Sequence, residues 1–154
     1  MRWIRLAAVI GAFVLGAGTA AAAIEVAAAT SPPRATLAPY HANTPDMKID
    51  SKDAKDVVIT QFSIAPGKST GWHFHPGPTF IIVTAGTLTR YQANDPTCTG
   101  TGYGPSTGFF EAPGDVHIAR NEGSETVVGM VAYLNVPIGG AVKKLVSSPG
   151  NCPF

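Results

Sequence analysis

The chain has 154 residues, with 11 lysines and arginines against 10 aspartates and glutamates, for a formal charge of +1. So balanced a charge excludes a basic surface built for nucleic acid or anionic membrane. Charged residues make up only 14% while glycine (17) and proline (13) are abundant, which favours many short strands joined by turns over helices.

Residues 1–23 join a short basic start (Arg2, Arg5) to an apolar run from Leu6 through Val14 and beyond, ending in small residues at Ala20–Ala23. That is the anatomy of a secretory signal peptide, with a second cleavage option near Ala27–Ala29. The competing reading is a membrane anchor, since the stretch approaches the ~20 residues needed to span a bilayer. The short, alanine-rich core argues for cleavage. Removing Arg2 and Arg5 leaves nine basic against ten acidic side chains. The remaining chain, roughly 130 residues, suits a single domain with its own core. The expected location is secreted, periplasmic or cell-envelope, with no nucleic-acid partner and no membrane association after cleavage. Residues 24–45 read as a Pro/Ala-rich linker or arm in which His41 is a solvated loop histidine. Residues 46–154 form the one domain.

From Lys55 the pattern changes. Val57–Ile64 is rich in β-branched residues and closes on the turn Ala65-Pro66-Gly67, as a strand does. Gly71–His75 follows as a second strand, Pro76-Gly77-Pro78 as a turn, then strands at Thr79–Thr84 and Thr87–Tyr91. Asn94–Thr107 is a turn-rich insertion. Gly108–Glu111, Val116–Arg120 and Thr126–Val136 are further strands. No window carries a helical stripe, so the expected class is all-β, a barrel or sandwich.

Within this frame His73 and His75 are separated by one residue, so a strand places both imidazoles on one face and Trp72 and Phe74 on the other. The spacing Gly67-x5-His73-x-His75-x3-Thr79-x6-Gly86 resembles the first signature motif of the cupin superfamily except that threonine replaces its glutamate. Gly114-x2-His117-x3-Asn121 resembles the end of the second motif, with Ser106 at the leading glycine position and Pro113 one place late. The resemblance spans about Asp56 to Val136. It implies a double-stranded β-helix, that is, a small jelly-roll barrel, with His73, His75 and His117 lining its mouth.

Three neutral imidazoles leave positions open for solvent or substrate on a divalent transition ion: Fe, Mn, Co, Ni, Cu or Zn. In the resembling family the missing acid is usually the fourth ligand, and Thr79, the residue at that position, offers only a weak neutral oxygen. Glu111, on an otherwise apolar strand, is either a rim-exposed acid or the carboxylate that Thr79 lacks, as ligand, neighbouring partner or general base. Trp72, Phe80, Phe110 and Tyr133 are either pocket-shaping residues or plain core. Cys98 and Cys152, the only cysteines, are expected to form a disulfide in an exported chain. Two functions follow: a metal-dependent oxygenase or oxidase acting on a small molecule, or a cupin that binds metal or a small ligand without turnover. Cupins are often dimers, so the resemblance also carries a homodimer as an expectation.

Overall fold

Alternation organises the longest strands. In Lys55–Ile64, Val58 and Ile64 are buried while Ile59, Gln61 and Ser63 face solvent, the period of two of a sheet with one covered face. The computed structural model describes residues 32–154; the leader and both cleavage options lie outside them. The described residues contain twelve strands and no helix. They are β1 (Arg34–Leu37), β2 (Tyr40–Asn43), β3 (Lys48–Ser51), β4 (Lys55–Ile64), β5 (His73–Phe74) and β6 (Thr79–Ala85), followed by β7 (Leu88–Gln92), β8 (Thr101–Tyr103), β9 (Gly108–Glu111), β10 (His117–Arg120), β11 (Val127–Val136) and β12 (Lys144–Leu145).

Two five-stranded sheets form, in the orders β1-β4-β11-β6-β9 and β12-β5-β10-β7-β8, beside a small β2-β3 hairpin. From β4 to β12 the chain passes back and forth between the two sheets, with only β7 and β8 consecutive in one. Every pairing is antiparallel. This is the expected double-stranded β-helix.

The inward residues divide the barrel along its strands. At one end Ile64, Val83, Leu88, Ala119 and Val127 pack together with Phe62, Tyr103 and Phe109. Ile64, Val83, Leu88 and Val127 each contribute about 1.5–3 kcal/mol on full burial. Toward the other end the same strands turn polar residues inward: Thr79 on β6, Glu111 on β9 and His117 on β10. The packed end holds the sheets together, and the polar end is left for chemistry.

The same parity corrects two candidates for the pocket. Because Thr79 and Glu111 face in, their neighbours Phe80 and Phe110 face out, 44% and 52% exposed. Ile59, Ala132, Phe80 and Phe110 lie in register across four adjacent strands on that outer face. Trp72 is buried, yet on the far side of its sheet, with Tyr91, Ile118 and Cys152. That second outer face is covered by the C-terminal tail, which the Cys98–Cys152 disulfide fastens. Asn151 adds donations to the carbonyls of Gln92 (2.9 Å) and Asp95 (2.6 Å), and the Arg120 guanidinium lies 3.8 Å from the Phe154 ring centre.

Part of the expected arm is built into the barrel. β1 pairs with β4 because buried Asp56 accepts hydrogen bonds from Thr36 Oγ1 (2.6 Å), Gly139 N (2.9 Å) and Arg34 Nη1 (2.6 Å). His41 stays exposed on β2, away from the other histidines. The turn-rich insertion also contributes a strand, β8, at the edge beside β7.

Two stability tests follow. The Thr36 hydroxyl, the Gly139 amide and Arg34 hold the Asp56 carboxyl down at about 2. Its contribution is therefore complete above the ordinary aspartate range and is lost as pH falls toward about 2. Asp56→Asn is expected to lower the urea midpoint at neutral pH and to flatten the acid limb of stability between about pH 4 and 2. Ser106 sits at φ 64°, a left-handed conformation that costs a residue with a Cβ roughly 1–2 kcal/mol. Ser106→Gly should raise the melting temperature, with a net gain of up to about 1 kcal/mol after the entropy of the new glycine is counted.

Candidate metal centre

β5 is only two residues long, yet it is held on both sides. His73 pairs directly with His117 of β10 and with Leu145 of β12. His73, His75 and His117 are all buried, and their candidate ligand nitrogens lie within 4.8 Å of one another. Their rings meet edge-on or tilted, with centroids 4.4–5.2 Å apart. The tight Pro76-Gly77-Pro78 turn that follows brings Gly77 against β11, where a Cβ would stand 1.9 Å from the Leu134 carbonyl oxygen. Only glycine fits there.

Each imidazole is fixed by its Nδ1, which donates to a backbone carbonyl. His73 uses Gly71 O (2.8 Å), His117 uses Asp115 O (2.9 Å) and His75 uses Val142 O (2.8 Å). With Nδ1–H committed, each Nε2 of a neutral ring offers a lone pair.

Glu111 faces the same point. It is 3% exposed, so it is not a rim residue. Its Oε1 lies 2.8 Å from His117 Nε2 and its Oε2 3.1 Å from His75 Nε2. Arg90 Nε donates to Oε1 at 3.1 Å. Glu111 is also the direct cross-strand partner of Thr79. Two positions so paired have Cβ atoms about 4.5–5.5 Å apart and share one face, so a carboxylate at 111 reaches the region that one at 79 would. Thr79 itself is fully buried, and its hydroxyl donates to Gly77 O at 3.2 Å, inside the turn rather than toward the histidines.

Burial disfavours a charged Glu111, but with protons on the Nε2 atoms of His117 and His75 their hydrogen bonds and charge outweigh it and hold the carboxyl far below its usual range. Burial lowers His73 to about 4 against the opposing bond to Gly71, keeping it neutral and available as a ligand at neutral pH. Tyr133, whose ring centre is 5.1 Å from that of His75, is raised to about 12 by burial and by Glu111, so it remains a hydrogen-bond donor. Lone pairs on nitrogen and oxygen cannot sit 2.8–3.1 Å apart with nothing between them. Protons on Nε2 or a metal cation must occupy the convergence, and the donor set of three imidazoles with a carboxylate fits a divalent transition ion.

A cavity of about 450 Å³ opens onto this cluster between the sheets. Phe62, Ile81, Phe109 and Val131 supply apolar wall, and Tyr133, Lys68 and Lys143 supply polar groups. Of the aromatic candidates from sequence only Tyr133 lines it. Sequence reasoning did not single out Arg90, Lys143 or the Val142 carbonyl. Arg90 left one signal, a cation at an inward position of a short strand, which demands a buried acid as partner. A backbone carbonyl leaves none.

The tail that carries Val142 continues through β12 and on to Cys152, the disulfide partner of Cys98. The chain-entropy relation gives roughly 4 kcal/mol for closing a loop of 54 residues. A Cys98→Ser/Cys152→Ser variant is expected to melt at lower temperature. While its barrel circular dichroism is still intact, it should bind Zn(II) about tenfold more weakly by competition titration, because His75 loses a fixed partner.

Residues 60–133 match the cupin domain family. No curated protein matches the sequence. Among solved structures, the cupin-like protein from Thermotoga maritima is similar at 21% identity and TM-score 0.50, with 60% of this chain and 65% of that one covered. The DMSP lyase DddQ from Ruegeria pomeroyi is similar at 17% identity and TM-score 0.51, over 61% and 45%. The chain spans about half the length of the first solved structures it matches, 52% and 44%. These likenesses concern the fold. Sequence match and sheet order agree that residues 60–133 carry a cupin domain.

Proposed function

We propose that the protein binds one divalent transition-metal ion through the Nε2 atoms of His73, His75 and His117, with Glu111 as the carboxylate partner. We propose further that it acts, as an oxygenase or oxidase, on a small molecule held in the adjoining cavity. The observation that carries this is the convergence of three imidazoles on one buried point, with the Glu111 carboxylate beside two of them, at the wall of a 450 Å³ cavity. When bound, the ion supplies Lewis acidity and, if it is Fe, Mn or Cu, one-electron chemistry. The chain's own residues do the rest. The histidines orient the ion, and the apolar walls limit water around a bound ligand. Tyr133 offers an O–H donor, and Glu111 presents to the ion the carboxylate oxygen that Arg90 does not hold. The disulfide supports action in an oxidising compartment outside the cytoplasm.

A second reading, a metal or ligand binder without turnover, is favoured by Arg90. With Oε1 fixed between Arg90 and His117, Glu111 has less freedom to shuttle protons than an unpaired acid. Oxygen uptake in the metal-loaded protein separates the two readings.

Elemental analysis of protein purified without chelators is expected to find about one equivalent of transition metal, absent from a His73→Ala/His75→Ala variant. Glu111→Gln should weaken metal binding roughly 10–100-fold. Unchanged metal content and activity in that variant would remove Glu111 from the site. Failure of the wild type to bind Fe(II), Mn(II), Cu(II) or Zn(II) on reconstitution would make the histidines structural.

A further inference from the structure

We infer that the cavity is built for a small organic carboxylate with an apolar body, its anionic group held by Lys143 near the histidines and its approach assisted by Lys68. The inference rests on the metal-site reading for the ion, and on the cavity's own charge for the rest.

The charge around the cavity is lopsided. Lys68 and Lys143 both line it, and among the described residues Glu111 is the only acidic side chain that does. That one acid is already paired with Arg90, and among the described residues no ion pair joins Lys68 or Lys143 to a carboxylate, so the lysines face the cavity without a carboxylate of their own. A divalent ion at the histidines adds two further positive charges. Positive groups around a concave, low-dielectric site focus the field and concentrate anions there. A neutral ligand would leave that field unbalanced.

Lys143 does not owe its position to chance. It follows Val142, whose carbonyl holds His75, and precedes Lys144, which pairs with Phe74 between the two histidines. Its backbone is therefore tied to the metal-binding strand on both sides. Lys68 comes from the turn before that strand, where its carbonyl accepts Asn121 N at 2.9 Å. Both lysines are solvent-exposed, as groups that meet an incoming ligand must be.

The walls decide the rest of the ligand. Phe62, Ile81, Phe109 and Val131 match an aliphatic or aromatic body. A phosphate fits less well, since the cavity lacks the guanidinium forks and helix N-termini that serve phosphate oxygens. The one arginine beside the site is spent on Glu111.

The test is isothermal titration of the full-length protein, Zn(II)-loaded and metal-free, with three probes of like shape: benzoate, benzamide and phenylphosphonate. Benzoate is expected to bind the loaded protein at least tenfold more tightly than benzamide. Lys143→Gln should reduce benzoate affinity threefold to tenfold and Lys68→Gln about threefold, both with benzamide affinity unchanged. The wild-type preference should shrink as salt is raised. Equal affinity for benzoate and benzamide, or a Lys143→Gln variant with full preference, overturns the inference. Tighter binding of phenylphosphonate than of benzoate overturns the assignment to carboxylates. If neither Zn(II) nor Fe(II), Mn(II) or Cu(II) in its place loads, the metal reading fails by itself. The metal-free titration still decides on the lysines: a surviving preference that Lys143→Gln removes supports them, and no preference overturns them.

Discussion

Three hydrogen bonds from Nδ1 to backbone carbonyls set the character of this barrel's polar end. Each contributes only about 0.5–1.5 kcal/mol to stability, but each chooses a tautomer and a ring orientation. Two are local, reaching the carbonyl two residues before the histidine, and come with the bend that enters the strand. The third spans 67 residues, from His75 to Val142, and makes the site depend on the docking of a distant segment. Once all three are in place only the Nε2 atoms remain to face one another and Glu111, and the buried point they share requires a proton or a metal cation.

Glu111 shows how a sheet can move a functional group without moving its position in space. The first motif lacks its acid at Thr79, and the acid found beside the histidines arises 32 positions later on the neighbouring strand, directly across the ladder. A buried carboxylate in such a place requires compensation. Arg90, itself only 6% exposed, provides it from the facing sheet. The Arg90–Glu111 pair thus joins the two layers of the barrel beside the candidate ion, and it fixes which carboxylate oxygen faces His117 and which faces His75.

What could be read from sequence was what a strand encodes by itself. The period of two put His73 and His75 on one face, the β-branched runs located the long strands, and the two cysteines implied their own pairing. What could not be read was what strands decide jointly. Neither Thr79 nor Glu111 carries a mark of the register that sets them opposite. Arg34, Thr36 and Asp56 gave no sign that the proline-rich arm would become an edge strand. The outward turn of Phe80 and Phe110 was legible in principle, since a strand that directs Thr79 and Glu111 inward cannot also bury the next residue or the previous one. The Val142 carbonyl was beyond reach, because every residue has one.

The long-range bond to Val142 also makes the site an index of how well the tail is docked. Gly71 and Asp115 orient their histidines from within the same stretch of chain, whereas His75 relies on a segment that β12, Asn151 and the Cys98–Cys152 disulfide hold together. Of these three fastenings one is covalent and depends on the oxidation of two thiols. The orientation of the third imidazole is thereby linked, through ten residues of tail, to the redox surroundings in which the chain folds.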